Sequence, residues 1–352
     1  MQIIKRIIIR ILMIPQRLVG FIKSISKAME NSYWPDEPHK SRFKQICELI
    51  NWRFKNKEIN EFYTLYGFDR KNESIDQTSY IDYRSFAGLR WNGNKNGTNY
   101  SQVALLRDKY LFFKFMSLNR LPVPKVFAER ISGCFFDSDL NQTTVDSILS
   151  HGSFFAKSLD GECGENVKLI EDHSAFSQYL SSVEKSDLVF QDRVVQHHEM
   201  SRLNPHSVNT IRLVTVNKNN DVQVFGALLR VGTVDSKERD NTSQGGIAIG
   251  INPDGSLTPI GIRKPKYGGR IEKHPDTGVV FSSFTIPYYK EAVELACRAH
   301  RAFYRVGSIG WDIAITPDGP VFIEGNDNWE IQSFQALYGG LRDRCNEMMS
   351  VK

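Results

Sequence analysis

The first 29 residues carry an amphipathic pattern at helical spacing. On a helical wheel of 100° per residue, the apolar side chains between Ile3 and Met29 gather on one half, and only Ile9 and Met13 fall outside it. The opposite half holds the basic residues of the segment, which are Lys5, Arg6, Arg10, Arg17, Lys23 and Lys27. Pro15 is expected to kink or divide this helix, because proline lacks a backbone N–H and clashes with the preceding turn.

Two interpretations of this segment stay open. The pattern is typical of a helix that lies in a membrane interface. The apolar stripe can instead pack on the protein's own core or on a second subunit. A cleaved signal peptide is not expected, since Arg10 interrupts the apolar stretch and no small-residue cleavage site follows. No apolar run reaches the roughly 18 residues that a membrane-spanning helix requires.

The next hundred residues predict a linker, helices and a loop. Residues 31–39 contain two prolines and are expected to form a linker. Residues 40–66 have a helical composition, whereas residues 88–100, with three Gly and four Asn, predict a loop. A helix is expected over 102–119, and the following Leu-Pro-Val-Pro sequence starts an extended stretch.

From residue 121 onward, short apolar stretches alternate with turns and predict strands. Two hairpins are expected, one joining 211–216 to 222–231 and one joining 309–315 to 321–324. Single strands are expected at 154–157, 188–196 and 247–251, and a helix at 288–306. Strands and helices do not alternate as βαβ units, so the predicted fold class is α+β with antiparallel sheets.

Charge and cysteine content narrow the function classes. The net charge is +5, and because residues 1–29 contain six basic and no acidic residues, residues 30–352 carry −1. No nucleic-acid partner is therefore predicted. The five cysteines are odd in number and form no CxxC pair, which indicates reduced thiols in a cytoplasmic protein and no structural zinc site.

The last predicted hairpin carries oxygen-bearing side chains among apolar residues. Asp312 lies in one strand, and Glu324 and Asn326, two residues apart in the partner strand, share one face. Carboxylates at this density suit Mg²⁺, which is held by a few carboxylates together with substrate phosphates. The alternative is a polar, solvated sheet face.

This hairpin resembles the metal-binding hairpin of the ATP-grasp superfamily, and further motifs follow in the order that the superfamily has. They are Asp-Lys at 108–109, Lys157 followed by a glycine-rich segment, Val-Val-Gln at 194–196, Asn-Thr-Ile-Arg at 209–212 and Ser-Gln-Gly-Gly at 243–246. The resemblance covers residues 101–345 and is strongest to the sugar-transfer-associated branch. It implies an ATP-grasp fold, in which two lobes at 101–199 and 200–352 hold Mg²⁺–ATP between them, after a basic amphipathic helix at 1–29 and a helical region at 30–100.

The resemblance also implies roles for individual residues. Metal ligands would be Asp312, Glu324 and Asn326. Residues that bind the nucleotide would be Lys109, Lys157, Gly161, Gly164, Gln196, Asn209, Gly245 and Gly246. Catalytic residues would be Arg212, Arg230, Arg239 and Asn241. Many ATP-grasp ligases have a basic residue two positions before the metal-binding aspartate, where this chain has Gly310. They also have Pro-Gly soon after the asparagine, where this chain has residues 327–329, Asp-Asn-Trp. These departures leave the acceptor side open.

The implied activity is an ATP-dependent, ADP-forming carboxylate–amine ligase. An amide between an amino acid and a uronic acid of a surface polysaccharide is the expected product, which would place the protein in the cytoplasm or at the inner face of the membrane. The partners would be the carboxylate-bearing sugar or amino acid and, through residues 1–29, an anionic membrane surface. Two alternatives are a phosphotransferase acting on a sugar or alcohol, and a nucleotide-binding scaffold. The basic loop 263–270 is expected either to contact an anionic substrate or to be solvated.

Overall fold

The computed structural model describes residues 14–95, 100–159, 166–236 and 245–350. The chain starts with helices, whose bounds are Ile14–Ala28 (α1), Arg42–Asn56 (α2), Tyr83–Lys95 (α3), Tyr100–Arg107 (α4) and Lys109–Leu118 (α5). The predicted linker at 31–39 contains neither helix nor strand, and Trp34 within it lies between the guanidinium groups of Arg70 and Arg270. The linker is therefore held against the body of the protein.

The first sheet has five antiparallel strands in the order β2-β1-β5-β3-β4. Their bounds are Val126–Ile131 (β1), Cys134–Asp137 (β2), Phe154–Ser158 (β3), Val167–Ile170 (β4) and Leu188–Asp192 (β5). The helices Val145–Leu149 (α6) and His173–Ser182 (α7) lie between strands, and aromatic residues such as Phe154, Phe176 and Phe190 form its separate core.

The second sheet has seven antiparallel strands in the order β10-β9-β8-β7-β6-β11-β12. The bounds are Thr210–Lys218 (β6), Asp221–Val231 (β7), Ile247–Ile251 (β8), Leu257–Ile262 (β9), Arg270–Ile271 (β10), Ser308–Thr316 (β11) and Gly319–Asn326 (β12). Both predicted hairpins are confirmed. In the first hairpin Asn219 and Asn220 have φ of 56° and 66°, as a two-residue turn with the right twist requires.

Apolar cores cover the two faces of the second sheet. The helix Tyr289–Ala302 (α9) packs on one face together with α5, and it confirms the helix predicted at 288–306. The other face is covered by residues of α1, α2 and α3 and by the C-terminal helices Gln332–Tyr338 (α10) and Arg342–Met349 (α11). The remaining short helix, His198–Leu203 (α8), lies between the two sheets in sequence. The α+β class with antiparallel sheets is confirmed.

Three predicted elements differ from the structure. Residues 88–95 are not a loop but the second half of α3, and residues 96–99 lie outside the described part of the chain. The helix predicted at 102–119 is divided, because the Asp108 side chain accepts hydrogen bonds from the N–H groups of Tyr110 and Leu111 and caps α5. The strand predicted at 188–196 ends at Asp192.

The amphipathic N-terminal helix divides its apolar residues between two environments. Within the described residues, Ile25 and Ala28 are buried against the body and Phe21 packs beside them. Leu18 and Ile22 are more than half exposed. Packing on the protein's own core therefore accounts for the end of α1, whereas Leu18 and Ile22 stay uncovered. No helix in the described residues is long and apolar enough to cross a membrane.

Candidate active site

Three neighbouring strands of the second sheet bring charged side chains into one row. Asp312 on β11 pairs in register with Arg212 on β6 and with Glu324 on β12. Residues directly opposite one another in antiparallel strands have their side chains on the same face. The strand register thus produces a lateral row, Arg212–Asp312–Glu324, which runs from β6 across β11 to the edge strand β12.

Asp312 is buried and paired with two arginines. The Nε atom of Arg212 lies 2.5 Å from Oδ1 of Asp312, and a second Arg212 nitrogen lies 3.0 Å from Oδ2. Arg230 of β7 reaches the same Oδ2 at 2.6 Å, and its Nε donates to Thr210 at 3.3 Å. Burial alone raises the pKa of Asp312, but the two guanidinium groups outweigh it and hold the pKa below its ordinary value.

The surroundings of Glu324 raise its pKa, whereas those of Asp312 lower the pKa of that residue. Burial, followed by repulsion from Asp312, raises the pKa of Glu324 to about 7 despite Arg212 and Arg230. The amide nitrogen of Asn326 donates to Oε1 of Glu324 at 3.1 Å. Because that nitrogen is engaged, the amide oxygen is the atom of Asn326 that can ligate a cation.

Lys157 approaches this row from the first sheet. It lies on β3, and its ammonium donates to Oε1 of Gln191 at 2.6 Å. Burial lowers the pKa of Lys157 to about 8, the negative charge of Glu324 offsets part of that effect, and Lys109 lowers it further. The Lys109 ammonium donates to the carbonyl of Leu159 at 3.4 Å. The two lysines and Glu324 therefore lie close enough for their charges to interact.

The donor set fits a hard divalent cation. Glu324 and Asp312 are adjacent carboxylates, and a divalent cation would relieve the repulsion that contributes to the raised pKa of Glu324. Carboxylate oxygens accept more than one bond each, so the arginine pairs of Asp312 do not exhaust its acceptor capacity. No group of three or more His, Cys, Asp or Glu in the described residues could hold a metal, so a cation at this row would need further oxygen ligands from outside these side chains.

The described part of the chain includes four of the other predicted residues, Gln196, Asn209, Gly245 and Gly246, in the segments that precede β6 and β8. Gln196 lies in an irregular segment after β5, where its amide nitrogen donates to the carbonyls of Asn204 and Ser207. Its amide oxygen accepts from the backbone and side-chain N–H groups of Asn209. Gln196 and Asn209 thus fix the segment between the two sheets, and their contact with a nucleotide stays a prediction.

Asn209 has one unused acceptor. The residue is fully buried, and its Oδ1 atom has no hydrogen-bond partner among the described residues. Its amide nitrogen also donates to the carbonyl of Met200 at 2.8 Å.

Gly245, which precedes β8, is held in place by two hydrogen bonds to its carbonyl. The carbonyl of Gly245 accepts from Thr233 at 3.1 Å and from the buried Arg263 at 3.0 Å. The φ of Gly245 is 108°, a backbone conformation that favours glycine. Gly246 follows at the start of β8, which pairs with the strand that carries Arg230. Gly161, Gly164, Arg239 and Asn241 lie outside the described residues.

The structure corrects the description of the basic loop. Arg263 is buried and bridges to Asp235 at 2.8 Å, and Arg270 stacks on Trp34 and donates to the carbonyl of Ala336. Neither arginine is solvated, because both hold neighbouring segments together. Lys264 and Lys266 are exposed, and their contact with a substrate stays a prediction.

Sequence reasoning missed the residues that hold the site in place. Gln191 orients Lys157, and its own amide nitrogen donates to the carbonyl of Pro124. Asp327 binds Arg107 through two hydrogen bonds of 2.8 Å. The signal for Gln191 was a polar residue within an apolar strand, whereas no local signal pairs Arg107 with a residue 220 positions away.

Comparisons with known proteins agree with this architecture. The sequence profile of the family described as "Sugar-transfer associated ATP-grasp" matches residues 94–349, which is most of the chain. No curated protein matches the sequence. Among solved structures, an L-amino acid ligase from Bacillus licheniformis is similar with a TM-score of 0.40 and 11% identity, over 66% of this chain and 42% of that one.

Two further solved structures are similar to the chain. N5-carboxyaminoimidazole ribonucleotide synthetase from Thermotoga maritima has a TM-score of 0.41 and 12% identity, over 70% of this chain and 50% of that one. The VanG D-Ala:D-Ser ligase from Enterococcus faecalis has a TM-score of 0.45 and 11% identity, over 71% of this chain and 63% of that one. The chain spans about half the length of these structures. On the family match, the chain has the ATP-grasp fold and belongs to the sugar-transfer associated ATP-grasp family.

Proposed function

We propose that the protein is an ATP-dependent carboxylate–amine ligase that releases ADP. Family membership supports ATP binding. The observation that carries the proposal is the row Arg212–Asp312–Glu324, with Lys157 of the other sheet beside it. Two adjacent carboxylates, flanked by Arg212 on one side and by Lys157 of the other sheet, suit a polyphosphate with its counter-ion.

Each side chain of the row has a distinct task in this proposal. Glu324, Asp312 and the amide oxygen of Asn326 would hold Mg²⁺, which neutralises phosphate charge when bound. Lys109 and Lys157 would bind phosphate oxygens from the side of the first sheet. Phosphate close to Lys157 would stabilise the charged form of an ammonium whose pKa is lowered by burial.

The reaction requires positioning more than covalent chemistry by the protein. A substrate carboxylate oxygen attacks the γ-phosphorus, the bond to the β-phosphate oxygen breaks, and ADP leaves with an acyl phosphate remaining. An amine then attacks the acyl carbon, loses a proton and displaces inorganic phosphate, which yields the amide. Arg212 and Arg230 are held by Asp312 at the same face and would stabilise charge on the transferred phosphoryl group and on the tetrahedral intermediate.

The substrate class follows from the family description and not from the site residues. An amino acid joined to a uronic acid during surface polysaccharide assembly is the proposed product. The exposed Lys264 and Lys266 would then contact the anionic sugar, and the protein would work in the cytoplasm or at the inner membrane face.

Hydroxylamine trapping tests the proposal. The full-length protein is incubated with Mg²⁺–ATP and uronic acids or amino acids, and ADP and hydroxamate are measured together. A ligase forms hydroxamate, because hydroxylamine intercepts the acyl phosphate, and the matched variants Asp312→Asn and Glu324→Gln should lose both products. ADP without hydroxamate would favour phosphoryl transfer to a hydroxyl, and nucleotide binding without turnover on any substrate would favour a scaffold.

A further inference from the structure

Helix α2 presents an apolar stripe to the outside of the molecule. Its buried side consists of Gln45, Leu49 and Trp52. On the opposite side, Phe43, Cys47 and Phe54 lie within an arc of about 40° at 100° per residue. Phe43 is 78% exposed and Phe54 is 82% exposed. Two phenylalanines three turns apart on the outer face of one helix are unlike scattered surface apolar residues, and they indicate an interaction surface.

Basic residues line both sides of this stripe. At the same helical spacing, Arg42 and Arg53 flank it on one side and Lys44 and Lys55 on the other, and the structure shows them exposed. Long basic side chains beside an apolar stripe can extend their charges toward a polar boundary while their stems cover apolar surface. This arrangement is typical of a helix that lies in a membrane interface.

Helix α1 lies next to α2 and carries further exposed apolar side chains. Phe21 and Ser24 of α1 and Trp52 and Arg53 of α2 line one cavity of about 730 Å³, so the two helices are neighbours. Leu18, Val19 and Ile22 of α1 are each more than half exposed. The exposed apolar residues of both helices therefore lie on adjoining elements.

The charge of the chain is concentrated at this end. Residues 1–57 contain twelve Lys or Arg and four Asp or Glu, whereas residues 58–352 contain 33 and 36. The net charge is thus +8 over residues 1–57, which include α1 and α2, and −3 over the rest of the chain. An anionic surface would attract the protein in one orientation.

We propose that the outer face of α2, with Phe43 and Phe54 as its apolar contacts and its basic flanks as its electrostatic contacts, docks on an anionic lipid bilayer beside Leu18 and Ile22 of α1. This surface is distinct from the nucleotide site and does not depend on the reaction that the site performs. It would add α2 to the membrane contact that is one of the two interpretations of the sequence pattern in residues 1–29.

Vesicle co-sedimentation of the full-length protein tests the surface. The probes are vesicles of phosphatidylcholine with 30% phosphatidylglycerol and vesicles of phosphatidylcholine alone. We expect binding to the anionic vesicles and at least about tenfold weaker partitioning of the double variant Phe43→Ser/Phe54→Ser, since it removes two apolar side chains. The pair Lys44→Glu/Lys55→Glu should also weaken binding at least about tenfold.

Matched controls separate this surface from general effects. Leu118→Ser removes an equally exposed apolar side chain at the end of α5, and Lys168→Glu/Lys185→Glu reverses two exposed charges of the first lobe. Both controls should bind vesicles as the wild type does. Unchanged binding by Phe43→Ser/Phe54→Ser, equal binding to both kinds of vesicle, or a stable dimer that those substitutions dissociate would each overturn the proposal.

Discussion

At the residue scale, the site combines two carboxylates with different electrostatic environments. Asp312 is stabilised as an anion by Arg212 and Arg230, whereas Glu324 has its pKa raised to about 7. Residues that bind a ligand often lower the stability of the ligand-free protein, and their pKa values are often shifted. The cost of ionising Glu324 is therefore expected to be visible in stability.

Replacement of Glu324 by Gln should stabilise the protein. The pKa of Glu324 is raised from 4.5 to about 7 on folding, so the folded state binds the extra proton between these values and stability falls as pH rises through this window. Glutamine has no such loss of stability with rising pH, so the variant should gain at most about 3 kcal/mol over the wild type above pH 7 and nothing at pH 4.5. Thermal unfolding at pH 5 and pH 8 measures the difference, and a less stable variant at pH 8 would contradict it.

A buried histidine supports the strand that carries Asp312. The Thr215 hydroxyl lies 2.6 Å from Nδ1 of His300, and it accepts a hydrogen bond from the Trp311 indole at 2.8 Å. The other ring nitrogen of His300 donates to the carbonyl of Val306 at 2.7 Å. The chain of contacts holds Trp311, the neighbour of Asp312, in place.

His300 should make the protein sensitive to acid. Burial lowers its pKa from 6.5 to about 4, so only the unfolded state takes up a proton in this range. Stability is therefore lost as pH falls from 6.5 to 4, by at most about 3 kcal/mol. Denaturant unfolding across this pH range should show that the free energy of unfolding of His300→Gln falls less with decreasing pH than that of the wild type. The exposed His206→Gln is the control, and equal pH dependence in all three proteins would refute the assignment.

At the element scale, Gly310 lets β11 approach its neighbours. A Cβ atom at this position would lie 2.7 Å from Cβ of Trp329 and 3.4 Å from Cδ of Arg212. Gly310→Ala should therefore lower stability by about 1–3 kcal/mol and displace Arg212. In Gly88→Ala the new methyl group meets nothing within 4 Å, and because Gly88 lies in α3 the variant should gain about 0.5–1 kcal/mol. Chemical denaturation should therefore show a lower free energy of unfolding for Gly310→Ala and a higher one for Gly88→Ala. A stabilised Gly310→Ala would contradict the close packing of β11 at this position.

The strands of the two hairpins were predictable from local sequence, and helix α3 was not. Gly and Asn make residues 88–95 poor helix formers, yet Arg90 donates to the carbonyl of Trp329, and Asn94 bonds to both Asp327 and Ser308. These partners lie more than 200 positions away. Tertiary contacts override the local preference, which single-sequence reasoning cannot see.

In the candidate site too, some features have a local sequence signal and others depend on tertiary contacts. The hairpin of Asp312 and Glu324 was predictable, because alternation and a turn sequence fix which side chains share a face. The pairing of Asp312 with Arg230 depends on the register of three strands and had no local signal. Gln196 was expected on a strand, yet its side chain fixes an irregular segment through carbonyls of later residues.

At the scale of the whole molecule, the N-terminal helix contributes to folding only through its end. Deleting residues 1–20 removes side chains that the described structure leaves exposed, such as Leu18, and should leave stability unchanged. Deleting residues 1–29 also removes the buried Ile25 and Ala28 and should lower the free energy of unfolding by about 2–4 kcal/mol. Urea unfolding of the two truncated proteins measures this difference, and equal stability would show that α1 does not pack as described.

Nucleotide binding tests the central claim most directly, because it requires no knowledge of the acceptor. The non-hydrolysable analogue AMP-PNP is titrated calorimetrically into the full-length protein with Mg²⁺ or with EDTA. The account predicts one nucleotide per chain, binding that depends on Mg²⁺, and at least about tenfold weaker binding by Asp312→Asn/Glu324→Gln and by Lys157→Met, each folded as the wild type is. Equal affinity of the wild type and these variants, or no effect of Mg²⁺, would contradict a nucleotide site at this row.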